Sequence, residues 1–148
     1  MIKFGTGGWR AVIGDEFVKS NIQKVGQGVA ELAKESNCQV PIIIGYDRRF
    51  LSKDAAVWLA EVLTGNGFKV WFMNRSVPTP LVMHTVQKKG LDFGLEVTAS
   101  HNPSEYNGIK LIIKEGRDAS VEITNRLEEL IEMVTEVTVM DFSHAVNE

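Results

Sequence analysis

The sequence contains one cysteine, Cys38, among its 148 residues, and it therefore cannot form an intramolecular disulfide. This excludes the small disulfide-rich domains of secreted proteins and favours a reducing compartment. No apolar run approaches the roughly 20 residues of a transmembrane helix, and the first residues, MIKFGTGG, lack the pattern of a signal peptide. We expect a cytoplasmic protein without a membrane partner.

Clusters of basic residues are also missing. The chain has 16 lysines and arginines against 19 acidic residues, a net charge of −3, and the basic residues are scattered along it. Because a nucleic-acid surface needs a basic patch, we expect no nucleic-acid partner. The glycine patterns G-x-G-x-x-G and G-x-x-x-x-G-K-[ST] are absent too, so no nucleotide ligand is indicated.

Hydrophobic patterns of strand and helix alternate along the chain. Continuous apolar runs predict four strands, at residues 40–47, 68–73, Phe93–Thr98 and Ile109–Lys114. Apolar residues on one helical face predict helices at Val18–Leu32 and Val121–Val134. Start signals, Ser52 as a cap and the pair Thr79-Pro80, predict two more helices, at Ser52–Leu63 and Thr79–Lys89. The β-α-β-α-β order predicts a parallel sheet with helices on both faces.

The fourth strand breaks this order. Only about ten residues separate Thr98 from Ile109, and a parallel crossover needs roughly a dozen or more. The fourth strand is therefore predicted to run antiparallel to the third. The expected fold is α/β, with three layers (α/β/α) and a four-stranded mixed sheet of three parallel strands and one antiparallel strand.

The loop between the last two strands, TASHNPSEYNG at residues 98–108, concentrates polar chemistry. It holds a hydroxyl (Ser100), an imidazole (His101) and a carboxamide (Asn102), and Lys110 follows in the next strand. Asn-Pro and Asn-Gly are turn formers, so a long turn is one explanation. However, a turn needs neither the hydroxyl nor the imidazole, and open α/β sheets bind ligands at the carboxyl ends of their strands. Ser100 is thus a candidate nucleophile.

The residues around Ser100 indicate which kind of nucleophile it is. Acyl transfer favours a G-x-S-x-G elbow between a strand and a helix. Ser100 has no flanking glycine and precedes a strand, so a serine hydrolase has weak support. A phosphoryl acceptor instead needs cations and N–H donors around an anion, and Lys110, His101 and the backbone can supply them.

A glycine cluster near the N-terminus, FGTGGWRAVIG, is a second candidate for anion binding. Gly5, Gly7 and Gly8 allow the backbone to turn its N–H groups toward an anion, and Arg10 offers a planar fork for phosphate oxygens. Alone, such a cluster is more often a simple turn. Together with the Ser-His-Asn loop it favours a phosphate site.

The motifs FGTGGWR, GYDRRF, VPTP and above all TASHNPSEYNGIK resemble the N-terminal domain of the alpha-D-phosphohexomutases, the phosphoglucomutase/phosphomannomutase family. The resemblance runs from about Phe4 to the last helix. It implies that residues 1–134 form domain I, which carries the phosphoserine loop. Residues 135–148 are then expected to be a linker toward a second domain that the chain lacks.

The resemblance implies a mutase that interconverts hexose 1-phosphate and hexose 6-phosphate, of glucose or mannose, through a hexose 1,6-bisphosphate. Ser100 matches the serine that carries the phosphoryl group. Lys110 and Arg10 match residues that neutralise charge and assist proton transfer, and His101 matches one that positions the serine loop. The resemblance makes these four residues the expected catalytic set.

Further roles follow from the same resemblance. Asp47 and Arg49 match a pair that supports the serine loop, although a plain surface turn is an equally good explanation for them. The residues expected to bind phosphate are Gly7, Gly8, Arg10, Asn102 and Lys110.

The family also uses Mg²⁺, held by the serine phosphate and by a D-G-D-x-D-R loop, and no D-G-D occurs in this sequence. Ser100, through its phosphate, is therefore the metal ligand expected here, with the others on a domain that the chain lacks. We expect the chain alone to be inactive as a mutase, with hexose phosphates and its own missing domains as partners. Two alternatives stay open: a sugar-phosphate binding module without turnover, and a phosphoglucosamine mutase of the same family.

Overall fold

The computed structural model describes residues 2–5 and 7–145. The strands are β1 (Gly8–Val12), β2 (Ile42–Tyr46), β3 (Val70–Phe72), β4 (Phe93–Val97), β5 (Tyr106–Ile113) and β6 (Arg117–Asp118). The helices are α1 (Lys19–Glu35), α2 (Ser52–Gly65), α3 (Thr79–Lys89), α4 (Val121–Glu132) and α5 (Phe142–Ala145). A 3₁₀ turn at Lys114–Gly116 joins β5 to β6.

The strands form one sheet in the order β1-β5-β4-β2-β3, and β6 also pairs with β5. β2 is parallel to both β3 and β4, whereas β5 is antiparallel to both β4 and β1. The predicted core of three parallel strands and one antiparallel strand is thereby confirmed. Ser100 lies in the connection from β4 to β5, at the carboxyl end of β4.

The two faces of the sheet bury separate apolar clusters, and this confirms the three-layer fold. The larger cluster lies beneath α1, α2 and α4, and Leu95 and Leu111 contribute to it from the sheet. The smaller cluster joins Ile112 of the sheet to Val82 and Val86 of α3. Each face therefore has its own helical cover, as the alternation of strands and helices predicts.

α1 packs closely against its neighbours because two of its residues are glycine. A methyl group at Gly28 would overlap the side chain of Ile131 in α4, and one at Gly26 would press against Val62 in α2. The apolar face predicted for this helix is buried. Close approach of the helix backbones, rather than a binding loop, accounts for these glycines.

The sheet has two more strands than the four predicted. The sequence of Gly8–Val12 predicts part of a glycine turn, whereas the structure pairs all five residues with Tyr106–Lys110 of β5. A short segment that begins with glycine has no long apolar run to mark it as a strand. Its partner lies about 100 positions away, so local periodicity cannot reveal the pairing. β6 has two residues and is too short for any periodicity.

Residues 135–145 lie along α2. The N–H of Met140 donates to the carbonyl of Glu61 at 2.8 Å, and the backbone of the segment passes so close to Gly65 that a methyl group there would overlap it. That this segment is a linker toward another domain stays a prediction, and residues 146–148 lie outside the described part. Within that part, no helix is long and apolar enough to cross a membrane.

Candidate active site

Ser100 adopts an unusual backbone conformation in the loop between β4 and β5. Its φ of 53° lies in the left-handed region, which residues with a side chain rarely adopt. Its N–H donates to Oγ1 of Thr98 at 3.0 Å, and the N–H of Asn102 donates to the carbonyl of Ala99 at 3.0 Å. These bonds close a tight turn whose outward-facing residue, Ser100, is exposed.

A single guanidinium, that of Arg49, holds the backbone of this loop. Its Nη2 donates to the carbonyls of Ser100 and Asn102, at 2.9 and 2.6 Å, and its Nη1 donates to those of Pro103 and Tyr106, at 2.8 and 3.1 Å. Four carbonyls on one rigid fork leave the loop little freedom. This contact can maintain the left-handed conformation of Ser100.

A polar network of buried and half-buried side chains anchors Arg49 to the rest of the fold. Asp47 Oδ1 accepts from the N–H of Arg49 at 2.9 Å and from the hydroxyl of Ser52 at 2.7 Å, and Oδ2 lies 3.7 Å from Nε of Arg49. Asn107 completes the network, since its Nδ2 donates to Ser52 Oγ at 2.9 Å and to the carbonyl of Phe50 at 3.0 Å. The end of β2, the start of α2 and the start of β5 are thus tied together.

A second guanidinium, that of Arg10 in β1, approaches the hydroxyl of Ser100. Its Nη2 lies 3.4 Å from Oγ of Ser100. Arg10 is directly opposite Gly108 in the register of β1 and β5, and a methyl group at Gly108 would overlap the backbone of β1 and press against the Arg10 side chain. Glycine at this position allows the arginine to lie flat across β5 toward the serine.

Lys110 lies on the same face of β5 as Gly108, and its ammonium has a carboxylate partner. Its Nζ forms an ion pair with Oδ1 of Asp118 at 3.0 Å, and the two side chains are 16% and 40% exposed. Among the contacts of the described residues, no hydrogen bond joins Lys110 to Ser100. The structure thus brings Arg10 and Ser100 together and places Lys110 beside them with a carboxylate partner.

The other predicted site residues also lie near this end of the sheet. Gly7 has a φ of 77°, its N–H donates to the carbonyl of Gly5 at 2.8 Å, and Gly8 begins β1. His101 is exposed, and Asn102 is half-buried with its carbonyl on Arg49. The N–H of Gly7 is therefore already used within its own turn, whereas the His101 ring is accessible to solvent.

Glu96 of β4 is a buried carboxyl on the same face of the sheet. Its side chain is 0% exposed, and neither of its oxygens has a hydrogen-bond partner. Burial, with a smaller contribution from the negative charge of Asp47, raises the pKa of Glu96 to about 8. The carboxyl is therefore mostly protonated near neutral pH.

The residues around Ser100 do not form a metal site by themselves. Within residues 2–5 and 7–145, no three side chains of histidine, cysteine, aspartate or glutamate are grouped so that they could hold a metal ion. The side chains that contact Ser100 from outside its loop are the guanidinium groups of Arg10 and Arg49, which are not metal ligands.

Several residues of this site were not predicted from the sequence. The prediction that Ser52 caps α2 is wrong, because the residue at the cap position is Leu51, in a left-handed conformation. Ser52 is the first residue of the helix, and its hydroxyl donates to Asp47 instead. Asn107 and Asp118 have no local signal, since their partners come from distant parts of the chain. Glu96 does have a signal, namely a charged residue within an apolar strand run.

A protein-family model described as phosphoglucomutase/phosphomannomutase, alpha/beta/alpha domain I, matches residues 1–138. The chain belongs to the phosphoglucomutase/phosphomannomutase family. Arg10, Arg49, Ser100 and Lys110 all lie within the part of the chain that matches this domain I.

Individual relatives agree with this family. A Schizosaccharomyces pombe protein assigned as a phosphoribomutase is 40% identical over 116 residues, which cover 74% of this chain and 20% of that protein. Phosphoglucomutase of Staphylococcus saprophyticus is 31% identical over 137 residues, covering 90% of this chain and 25% of the enzyme. The solved structure of a Thermus thermophilus protein assigned as a phosphomannomutase has a TM-score of 0.88 and 31% identity, covering 95% of this chain and 31% of that one. This domain I thus spans a fifth to a third of the length of these relatives.

Proposed function

We propose that the whole protein, of which this chain carries domain I, is a phosphohexomutase that interconverts hexose 1-phosphate and hexose 6-phosphate. The observation that carries the proposal is the geometry at Ser100, whose exposed hydroxyl lies 3.4 Å from the Arg10 guanidinium. Arg49 holds the loop backbone beneath it. A phosphoryl group on Oγ would thus be open to a sugar hydroxyl and would have a cation beside it.

In the proposed reaction, a substrate hydroxyl attacks the phosphorus of phosphorylated Ser100. The bond from phosphorus to Oγ breaks as the bond to the sugar oxygen forms, so that the sugar hydroxyl loses a proton and Oγ gains one. The product is a hexose bisphosphate. After it reorients, its other phosphoryl group returns to Ser100 by the reverse exchange, and the sugar leaves as the positional isomer.

The cations of the site fit this transfer. A phosphoserine carries a charge of about −1.5 to −2 near neutral pH, and charge shifts onto its oxygens during the reaction. Arg10 is in place to stabilise that charge, and Lys110 can join it when its ammonium leaves Asp118. Arg49 positions the loop, since its nitrogens already serve four carbonyls. We assign loop positioning to His101 as well, and phosphate binding to Asn102 and to the turn at Gly7 and Gly8.

We also propose Mg²⁺ as the cofactor. When bound, it would supply positive charge to the phosphoryl group in transfer. On this chain its ligand would be a phosphate oxygen on Ser100, and its remaining ligands would lie on parts of the protein beyond these residues. Cys38 is buried and unpaired, which supports a cytoplasmic location.

The proposal is tested by the intact mass of the protein after incubation with glucose 1,6-bisphosphate. We expect a gain of about 80 Da, the mass of one phosphoryl group, mapped to Ser100 by peptide sequencing. S100A should gain nothing, and S104A should behave like the wild type, because Ser104 is an exposed serine of the same loop. Transfer to another residue, or no transfer, would contradict the proposal. Assays of the full-length protein with the 1-phosphates of glucose, mannose, glucosamine and ribose then identify the sugar.

A further inference from the structure

The buried carboxyl of Glu96 is not used by the reaction proposed above. It lies four residues before Ser100, and neither of its oxygens has a hydrogen-bond partner. The space it fills exists because residue 45 is glycine: a methyl group there would overlap Oε1 of Glu96 and the methyl groups of Val77 and Val82. The carboxyl is therefore packed in an apolar niche beneath α3, where a charge without a partner is unfavourable.

Lys110 is the cation closest to this carboxyl in the pairing of the strands. The two residues are directly opposite each other in the antiparallel register of β4 and β5. Residues paired in this way project from the same face of a sheet, with their Cβ atoms about 4.5–5.5 Å apart. A lysine side chain is long enough to bring its ammonium to a carboxyl at that separation.

The other charged groups on this face already have contacts elsewhere, so Lys110 is the cation available to pair with Glu96. They are Arg10 of β1, Asp47 after β2 and Asp118 of β6. Arg10 is directed at Ser100, and Asp47 is negative and already holds Arg49 and Ser52. α3 covers the niche with Val82, and its ionisable residues, His84, Lys88 and Lys89, are exposed.

The ammonium of Lys110 thus has two carboxyls within reach. It is paired with the half-exposed one, Asp118, at 3.0 Å. Glu96 does not compete for it near neutral pH because burial raises the pKa of its carboxyl to about 8. Above that pH the niche would hold a negative charge, and a paired cation is the usual way to stabilise a buried charge.

We propose that Glu96 is a positioning residue for Lys110. In its neutral form Glu96 leaves the ammonium outside the niche, paired with Asp118 and able to leave that carboxylate for an anion bound at Ser100. In its ionised form, after its proton passes to solvent, Glu96 draws the ammonium inward beneath the loop and removes it from the anion site. The effect on the anion rests on the proposed function, whereas the pairing of Glu96 with Lys110 does not.

The first test uses sulfate as the probe, because sulfate keeps its charge of −2 over the pH range in question. Its dissociation constant is measured from the amide NMR shifts of the Ser100 loop of this chain, at about pH 6.5 and about pH 9. We expect affinity to fall about tenfold in the wild type, the effect of losing one charge-assisted hydrogen bond. In E96Q, and in E96M should E96Q fold poorly, it should fall less than about twofold.

The second test does not depend on an anion. The ¹³C shifts of the Glu96 carboxyl and of Lys110 Cε are followed against pH. In the wild type both should change together near pH 8, the Lys110 change should be absent from E96Q, and D118N should retain it. A Glu96 carboxyl that titrates near pH 4.5, or a Lys110 step that survives in E96Q, overturns the proposal. A coupled step without sulfate binding at either pH supports the pairing and counts against the anion site instead.

Discussion

The guanidinium of Arg49 donates to the carbonyl oxygen of Ser100, at 2.9 Å, and leaves the hydroxyl of the same residue exposed. A different arginine, Arg10, approaches that hydroxyl. One cation therefore holds the backbone of the loop, and another lies beside the hydroxyl of its exposed serine. Substitutions at the two positions should have different consequences.

Replacing Arg49 with lysine should loosen the loop. An ammonium cannot reach four carbonyls in a plane, so we expect phosphorylation of Ser100 to slow about 10- to 100-fold and unfolding to become easier by about 1–3 kcal/mol. The measurements are the rate of mass gain with glucose 1,6-bisphosphate and urea denaturation. Arg48→Lys is the matched control, because Arg48 is exposed and its Nε donates one hydrogen bond, to Oγ of Ser76. Equal losses in both variants would show that the fork geometry is unimportant.

Replacing Arg10 with alanine should leave the loop intact and weaken catalysis. In the full-length protein we expect kcat to fall about 100-fold with a much smaller rise in KM, because the cation acts on charge that builds in the transition state. Arg75→Ala removes an exposed arginine from the connection after β3, a strand that pairs with neither β4 nor β5, and should behave like the wild type. A change confined to KM would make Arg10 a residue that binds the phosphate in the ground state only.

The backbone of Ser100 predicts an unusual order of stability. At a φ of 53° glycine is favoured over alanine, so S100G should be at least as stable as S100A, by up to about 1 kcal/mol in urea denaturation. Ser104 lies in the same loop without a positive φ, and there the glycine variant should be the less stable of the two. Both variants of Ser100 should lose phosphorylation. If S100G proved clearly less stable than S100A, the left-handed conformation would not describe the folded state.

Glu96 should make the folded chain less stable as the pH rises from about 4.5 to about 8. The unfolded state releases the proton of this carboxyl near pH 4.5, and the folded state holds it until about pH 8. Within that window the folded state binds more protons, so the free energy of unfolding should fall as pH rises, by about 1 kcal/mol per pH unit. E96Q has no such proton and should lack this slope in urea denaturation. Parallel curves for the two proteins would exclude the raised pKa.

The 148-residue chain should fold by itself and show no mutase activity. Its sheet is covered on both faces, but the sugar would lack the rest of its binding cleft, and the described residues hold no complete metal site. Losing that positioning can remove roughly 7–11 kcal/mol of rate acceleration. A coupled assay for glucose 6-phosphate formed from glucose 1-phosphate, with Mg²⁺ and a trace of bisphosphate, is the measurement. The full-length protein is the control, and turnover by the chain alone at a comparable rate would contradict the expectation.

The sequence predicts those helices and strands that have a local hydrophobic pattern. β2, β4 and β5 are dense apolar runs, and α1 and α4 have apolar faces. The connection from β4 to β5 is short, and it predicts that these two strands are antiparallel. β1 and β6 have no such pattern, because pairing with β5 alone makes them strands.

The same distinction explains the site. Ser100, Arg10, Lys110, Asp47 and Arg49 were expected from motifs, and the structure places them at one end of the sheet. Their partners were not expected, because hydrogen bonds such as that from Asn107 to Ser52 join residues 55 positions apart. Asp118 can be identified as the partner of Lys110 only from the pairing of β6 with β5.

The pairing of β1 with β5 also sets the order of events on the ribosome. Within this sheet β1 is synthesised before the other strands, and its partner, Tyr106–Lys110, follows about 100 residues later. At about 5–20 residues per second, Gly8–Val12 therefore waits at least several seconds without a neighbouring strand. Arg10 and Ser100 come together only when β1 pairs with β5. During biosynthesis, the contact between Arg10 and Ser100 therefore cannot form until about 110 residues of this chain have been made.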